Sequence, residues 1–238
     1  QGRIVRVLGE PSEPRVLTEA AMEMYNLPSA WPAAVTSAAG RFDREVGQNE
    51  SAGRVDLRKL PLVTIDGEDA RDFDDAVFAE PAGDGWRLIV AIADVSHYIR
   101  KADPIDVEAR RRGTSVYFPD RVVPMLPEEL SNELCSLKPQ VDRLCMVCEM
   151  QIDARGTVTR AKFYRGIMHS HARLTYNQVD ALHRGADPEG YAHIRRLGPV
   201  IENLYGVYRS LVAARARRGA LDLDLPEVKI ELDESGSI

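Results

Sequence analysis

Short apolar blocks separated by turn residues predict several β-strands in the middle of the chain. Each block is short enough for a single strand and is bounded by glycine, proline or charged residues. Turns at residues 81–85 and 154–156 join consecutive blocks, so we expect two hairpins. The predicted strands are residues 60–65, 76–80, 86–93, 144–152 and 157–164.

Apolar positions spaced three or four residues apart predict helices elsewhere in the chain. The patterns cover residues 17–24, 175–182 and 200–218. A further helix is predicted to begin after Asp103 and to end before Gly113, because aspartate caps a helix N-terminus and glycine suits the residue beyond its end. Strands and helices that alternate in this way are typical of an α/β or α+β protein.

The first residues also alternate between polar and apolar side chains, which predicts a strand over residues 1–8. A chain that opens inside a strand suggests that sequence has been removed upstream. Residues 40–53 are polar and rich in turn formers, so we expect a linker there. Residues 221–232 are predicted to be extended.

Composition narrows the class of protein. The 238 residues are 44% hydrophobic and carry a formal net charge of −6, which argues against a polybasic nucleic-acid binder or a basic membrane-surface protein. Three cysteines do not support a disulfide framework. No apolar run approaches the length of a membrane span, and we expect a soluble, cytoplasmic protein without membrane partners.

The most informative segment is an acidic cluster between two predicted strands. The loop must fold back, so the two ends of the cluster come together. Like charges at such short range cannot all remain ionised without a cation. Carboxylate oxygens without nearby histidine or cysteine favour a hard ion such as Mg²⁺ or Mn²⁺. The cluster consists of Asp66, Glu68, Asp69, Asp72, Asp74 and Asp75.

Two other interpretations of the cluster stay open when charge alone is considered. The first is a solvated acidic loop with no ligand. The second is a calcium loop, although the spacing of acidic residues in an EF-hand is absent. By itself, the cluster predicts a divalent-metal site and does not identify the reaction.

Several ordered blocks make the segment much more specific. Residues 64–66 and 72–76 (TID and DFDDA) resemble the active-site signature of the RNB catalytic domain, which defines the ribonuclease II and ribonuclease R family of exoribonucleases. Residues 53–58 resemble the bacterial ribonuclease R branch more closely than the ribonuclease II branch. Further matching blocks are residues 91–96, 112–119, 124–127, 130–132, 134–137 and 171–176.

This resemblance implies a fold and a domain organisation. The catalytic domain of the family has a mixed sheet with flanking helices, and residues 53–238 correspond to its first half. Residues 1–10 then correspond to the last strand of a cold-shock (OB) barrel, and residues 11–52 to a connector. The family's later Arg-Arg-Tyr block, a further glutamate and a C-terminal RNA-binding barrel are not found in the printed sequence, so we expect a fragment.

The resemblance also implies an activity. Members hydrolyse single-stranded or structured RNA from the 3′ end and release nucleoside 5′-monophosphates by two-metal-ion catalysis with Mg²⁺, for which Mn²⁺ can substitute. Asp66, Asp72, Asp74 and Asp75 match the four catalytic aspartates of the family. Asp66 and Asp75 are expected to be the firmest metal ligands, with Asp72 in support. Asp74 is expected to hold the second ion or to orient the nucleophile.

Two tyrosines match aromatic residues that contact RNA in the family. Tyr117 corresponds to a residue that stacks near the last bases, and Tyr176 to another near the 3′ end. The alternatives are a half-buried strand residue for Tyr117 and an apolar helix face with Leu174 and Val179 for Tyr176. Besides the 3′ end of single-stranded RNA, the implied partners are RNA-degradation or ribosome-associated factors.

The sequence leaves two other functions open. The chain could be a non-catalytic RNA-binding or interaction module that keeps the fold without turnover. It could also be a structural domain that a metal ion stabilises. Glu68 and Asp69 are assigned no role by the resemblance and are interpreted as loop charges.

Overall fold

A computed structural model describes residues 2–10, 13–43, 45–186 and 194–221, together with residues 223, 225, 230 and 233. Most of the extended segment predicted at residues 221–232 lies outside this part of the chain. The described residues belong to two compact units. The first includes Gln1–Phe42 and Ile99–Glu128, and the second is formed by Asp43–Tyr98 and Glu129–Asp222.

Strands and helices alternate along the chain, as the patterning predicts. The strands are β1 (Val55–Asp56), β2 (Val63–Asp66), β3 (Asp75–Ala82), β4 (Gly85–Ala93), β5 (Val116–Tyr117), β6 (Val122–Val123), β7 (Asp142–Ile152), β8 (Val158–His169) and β9 (Ala172–Thr175). The α-helices are α1 (Pro14–Met24), α2 (Ala33–Ala39), α3 (Val95–Tyr98), α4 (Pro104–Arg112), α5 (Tyr176–His183) and α6 (Gly198–Arg217). Short 3₁₀ turns at Gln48–Ser51 and Arg195–Leu197 and a π-helical turn at Glu129–Leu134 complete the described elements.

The second unit is built on a mixed seven-stranded sheet in the order β1-β8-β7-β4-β3-β2-β9. Strands β1 and β9 run parallel to their neighbours, and the other pairs are antiparallel. Both predicted hairpins, β3–β4 and β7–β8, are present, and they pair with each other through β4 and β7. The predicted mixed sheet with flanking helices is therefore confirmed.

Helix α6 packs on this sheet. Its buried Val207 joins Ala79, Leu88 and Ile152 in one hydrophobic cluster. Leu204 and Leu211, on the apolar face that the sequence predicted, pack against this cluster, whereas Tyr208 and Val212 of the same face are exposed. Trp86 lies at the contact and donates a hydrogen bond from its indole nitrogen to a serine hydroxyl of the helix at 3.3 Å.

We expect Gly206→Ala to destabilise the fold by about 1–3 kcal/mol, because an added methyl group overpacks a close contact. An alanine Cβ at Gly206 would lie 2.4 Å from the ring of Trp86. The matched control is Gly198→Ala in the same helix, where no heavy atom lies within 4 Å of the added carbon. Chemical denaturation measures both variants, and a Gly206→Ala protein as stable as the control would contradict the packing.

In the first unit, α4 begins and ends where the sequence predicts. The Asp103 carboxylate accepts the backbone N–H of Ile105 at 2.9 Å, and Gly113 ends the helix with a φ of 77°. A non-glycine residue adopts that backbone conformation at a cost. Arg112, the last helical residue, donates to the carbonyl oxygen of Pro124 at 2.9 Å and so ties the helix to the segment that follows β6.

Two local predictions differ from the structure. Residues 2–10 form no helix or strand, so the predicted strand is not observed, because alternation alone does not supply the neighbour that a strand requires for its hydrogen bonds. The predicted linker at residues 40–53 contains a 3₁₀ turn, in which Glu50 contacts His97 at 3.0 Å. The assignment of residues 1–10, 11–52 and 53–238 to family domains stays a prediction.

Candidate active site

The acidic cluster lies where two neighbouring strands of the sheet meet. Asp66 is the last residue of β2 and Asp75 is the first residue of β3. These strands pair antiparallel through Val63 and Val77. The loop between them therefore folds back, and its two ends lie side by side at the same end of the two strands. The sequence-based expectation that the ends of the cluster come together is confirmed.

The backbone around Phe73 is held firmly against the rest of the unit. The buried Phe73 donates its N–H to the Ser136 hydroxyl at 3.1 Å and accepts the N–H of Leu137 at 2.7 Å. The next carbonyl, that of Asp74, accepts the N–H of Ala93 from β4 at 2.9 Å. Because Phe73 is anchored, the two aspartates that flank it start from a defined backbone.

The four matched aspartates influence one another electrostatically. The pKa of Asp66 is raised first by burial and then by the negative charge of Asp75. The positive charge of Arg173 opposes this shift, and Asp72 and Asp74 add smaller increases. The pKa of Asp74 is also raised, first because surrounding protein atoms partly desolvate its carboxylate and then because of the negative charges of Asp72 and Asp75. The residue as a whole remains exposed to solvent. The site therefore carries negative charge that favours a counter-charge.

One oxygen of the cluster lacks a hydrogen-bond partner. Oδ2 of Asp66 is buried and accepts no hydrogen bond from any residue that the structure describes. A buried carboxylate oxygen without a donor is costly, and a cation is one way to satisfy it. Carboxylate oxygens are the donors that Mg²⁺ and Mn²⁺ prefer, so the chemistry of the cluster fits a hard divalent ion.

The side chains as they stand do not enclose an ion. Within the described ranges, no group of three or more histidine, cysteine, aspartate or glutamate side chains is arranged to hold a metal. The four aspartates are close enough to raise pKa values, but they are not gathered into a coordination sphere. Convergence on one metal-binding pocket stays a prediction.

Two residues that the sequence did not single out contact the acidic loop. Arg173 of β9 donates from Nη2 to the carbonyl oxygens of Gly67 and Glu68, at 2.7 and 2.8 Å. Asn177 of α5 donates to the Glu68 carboxylate at 2.7 Å. Glu68, interpreted from the sequence as a loop charge, is thus fastened at its backbone and its side chain. Arg173 lies in a matching block, but nothing in the sequence indicates this contact.

The element that carries these two residues is itself well defined. Thr175, the last residue of β9, pairs with Asp66 in the parallel β2–β9 ladder. It also caps α5, because its hydroxyl accepts the N–H of Gln178 at 3.2 Å while the Gln178 side chain accepts the Thr175 N–H at 2.9 Å. Such a reciprocal box stabilises the start of a helix.

A buried ion pair lies directly after strand β4. Nη2 of Arg54 is 2.7 Å from the carboxylate of Asp94, and the side chains are only 3% and 0% exposed. The Ser96 hydroxyl donates to the other carboxylate oxygen at 2.8 Å. Since Ala93, next to Asp94, holds the backbone of Asp74, this pair supports the strand end from which the acidic segment is fixed.

The two tyrosines are accessible, each within its own unit. Tyr117 in β5 is 67% exposed, so the alternative of a half-buried strand residue is wrong. Tyr176 is the first residue of α5 and is 64% exposed, so it does not belong to an apolar helix face. Their contact with RNA stays a prediction.

Comparison with known proteins identifies relatives over nearly the whole chain. The RNB domain family matches residues 54–238. Ribonuclease R of Escherichia coli (strain K12) is 52% identical over 229 residues, which are 96% of this chain and 28% of that protein. This chain therefore spans less than a third of the length of that relative.

Solved structures agree with this similarity. RNase R of Mycoplasma genitalium in complex with ribose-methylated single-stranded RNA superposes with a TM-score of 0.87 at 33% identity, covering 96% of this chain and 35% of that one. The same enzyme in complex with double-stranded RNA gives the same TM-score and identity, with 96% and 40% of the two chains covered.

In the described ranges, no helix combines the length and apolar character needed to cross a membrane.

Proposed function

The chain belongs to the RNB domain family, and from this premise we propose that it supplies the acidic part of the active site of a hydrolytic exoribonuclease of the ribonuclease R type. The proposed enzyme degrades single-stranded or structured RNA from the 3′ end to nucleoside 5′-monophosphates. The observation that carries the proposal is the buried Asp66 oxygen without a donor, within a cluster of four mutually repelling carboxylates.

The proposed metal ligands are Asp66, Asp72, Asp74 and Asp75. Mg²⁺ or Mn²⁺ ions bound there would neutralise the phosphodiester and make a bound water more acidic. Without positive charge, four carboxylates would repel an anionic RNA backbone, so this cluster suits an RNA-hydrolysing site only together with cations. The raised pKa values of Asp66 and Asp74 support this requirement.

The chain's own residues would prepare the site for the substrate. The anchored Phe73 backbone holds Asp72 and Asp74 on either side, which limits how far their carboxylates can move apart. Tyr117 and Tyr176, each exposed within its own unit, are proposed to stack on bases, and stacking contributes about 1–3 kcal/mol per base without sequence preference. Sequence-independent binding suits an enzyme that removes every nucleotide in turn.

The nature of the substrate is supported by relatives. RNase R of Mycoplasma genitalium has been solved with single-stranded and with double-stranded RNA. We extend RNA as the substrate class to this chain on the basis of 33% identity and the shared fold. The direction of degradation and the monophosphate product follow from the resemblance to the family.

The test uses a chimera in which this chain replaces the matching 229 residues of Escherichia coli ribonuclease R. We expect the chimera to release nucleoside 5′-monophosphates from the 3′ end of single-stranded RNA with Mg²⁺ or Mn²⁺, and to stop when EDTA removes the ions. Chromatography of the products and 5′-labelled RNA measure the reaction and its direction.

The unaltered Escherichia coli enzyme is the control for activity, and circular dichroism verifies that the chimera is folded. A folded chimera that retains RNA but forms no product, even with Mn²⁺, would contradict the catalytic proposal and favour a non-catalytic RNA-binding module.

A further inference from the structure

The side chain of Arg173 holds the acidic loop at the two residues that follow Asp66. Nη2 of Arg173 lies 2.7 Å from the carbonyl oxygen of Gly67 and 2.8 Å from that of Glu68. Hydrogen bonds from a charged donor are roughly twice as strong as those between neutral groups. The two consecutive carbonyls are therefore fixed in direction as well as in position.

The same guanidinium also approaches the other arm of the loop. Its central carbon lies 5.6 Å from the ring centroid of Phe73, within the usual range of a cation–π contact. Phe73 stands between Asp72 and Asp74, whereas Gly67 follows Asp66. Arg173 thus contacts both arms of the segment that carries the matched aspartates.

The arginine is itself placed by regular structure. It lies in β9, in register with Thr64 of the parallel strand β2. Its Nε is buried and has no hydrogen-bond partner among the residues that the structure describes. The hydrogen bonds of Arg173 run to the loop, while the residue as a whole stays partly exposed.

A second contact reinforces the first. Asn177, in the first turn of α5, donates to the Glu68 carboxylate at 2.7 Å. The capping box of Thr175 and Gln178 fixes this turn, so the donor is presented from a rigid element. Glu68 is consequently held at its carbonyl by Arg173 and at its side chain by Asn177.

We propose that Arg173 is a positioning residue for the acidic site, which it maintains by holding the loop between Asp66 and Asp72 through the Gly67 and Glu68 carbonyls. Neighbouring carboxylates repel one another and would otherwise spread this loop into many conformations. A site that binds ions in a defined geometry requires such support from groups behind its ligands. The consequence for metal binding rests on the proposed function, whereas the restraint of the loop does not.

The test is Arg173→Lys, which retains the positive charge but not the forked head, because lysine ends near the level of the arginine Nε–Cζ bond. We expect the Mn²⁺ dissociation constant of the chain to rise about tenfold. We also expect hydrogen exchange at the Ala70 amide, which donates to the Gly67 carbonyl at 3.4 Å, to accelerate about tenfold.

The matched control is Arg184→Lys at the end of α5, where the arginine is 74% exposed and paired with Asp180. Both measurements should be unchanged in this control. Asn177→Ala removes only the second contact, so it should produce a smaller change of the same sign. This variant tests the proposal if Arg173→Lys does not fold. All variants are compared at a temperature at which circular dichroism shows them folded.

The outcomes separate this proposal from the proposed function. If Arg173→Lys matches the unaltered chain in Mn²⁺ affinity and in Ala70 exchange, the positioning role is wrong. If the unaltered chain binds no Mn²⁺ while Arg173→Lys still accelerates Ala70 exchange, the metal site is wrong and the restraint of the loop stands. A change in melting temperature alone, without either specific effect, would assign Arg173 a purely structural role and overturn the proposal.

Discussion

Asp74→Asn is expected to lower RNA hydrolysis by the chimera about a thousandfold, equivalent to about 4 kcal/mol of activation free energy, while RNA binding changes little. The substitution removes a charge from the proposed metal site but keeps the size of the side chain. The Asp74 backbone remains fixed, because its carbonyl accepts the Ala93 N–H whatever the side chain is.

Stability should distinguish a loss of chemistry from a loss of fold. The pKa of Asp74 is raised in the folded chain by burial and by Asp72 and Asp75, so ionised Asp74 opposes folding once the pH exceeds its unfolded pKa. In EDTA at neutral pH, Asp74→Asn should therefore melt at the same temperature as the unaltered chain or higher. A variant that melts much lower would indicate structural damage instead.

The control is Asp84→Asn, at an exposed position in the β3–β4 turn, which should leave hydrolysis unchanged. Initial rates from chromatography of released mononucleotides and fluorescence anisotropy of bound RNA provide the two measurements. Hydrolysis by Asp74→Asn at the unaltered rate would refute the assignment of this residue to the catalytic site.

Arg54→Met is expected to destabilise the second unit by about 3–5 kcal/mol, because the buried Asp94 carboxylate loses its hydrogen-bonded counter-charge and keeps only Arg165, whose Nε lies 3.8 Å away. Arg54 is 3% exposed and Asp94 is fully buried. Urea denaturation of the chain measures the change. The matched control is Arg58→Met, since Arg58 pairs with Asp56 and Asp142 at the surface, where removal of one partner has little effect.

The double variant Arg54→Met with Asp94→Asn separates the pair from general packing. Removing both partners abolishes the isolated buried charge, so the double variant should be more stable than Arg54→Met alone. If the two substitutions instead add up without coupling, the ion pair is not the source of the effect.

The same ion pair predicts how the stability of the fold changes as the pH falls. Burial raises the pKa of Asp94, but hydrogen bonds from Arg54 and Ser96 outweigh this effect, so its pKa lies below the ordinary value. Asp94 therefore contributes stability above its unfolded pKa and loses that contribution as the pH falls through its folded pKa. Asp94→Asn should remove this part of the acid sensitivity in urea titrations at several pH values.

Local signals predicted several elements well. The β3–β4 hairpin and the α4 helix between Asp103 and Gly113 were predictable because their turns and caps depend on residues only a few positions apart. The strand predicted at residues 1–8 is not observed, since alternating side chains indicate a strand only if a partner strand supplies hydrogen bonds.

Contacts between distant parts of the chain could not be predicted in this way. The Arg173 bond to Gly67 joins residues 106 positions apart, and the Arg54–Asp94 pair joins residues 40 positions apart. Both arginines stood in matching blocks, but their partners depend on strand order and register. Arginine has five donors that many carbonyls or carboxylates could accept, so residue type does not select a partner.

The sequence by itself determined the family, the two strands that flank the cluster, and the candidate set of Asp66, Asp72, Asp74 and Asp75, because motifs and hydrophobic periodicity are properties of neighbouring residues. Only the tertiary structure decided which carboxylate oxygen is buried without a donor, which tyrosines are accessible, and that Arg173 holds the acidic loop. These properties depend on burial and distance. For Asp66 and Arg173, the packing of the parallel strands β2 and β9 and of the antiparallel hairpins sets both.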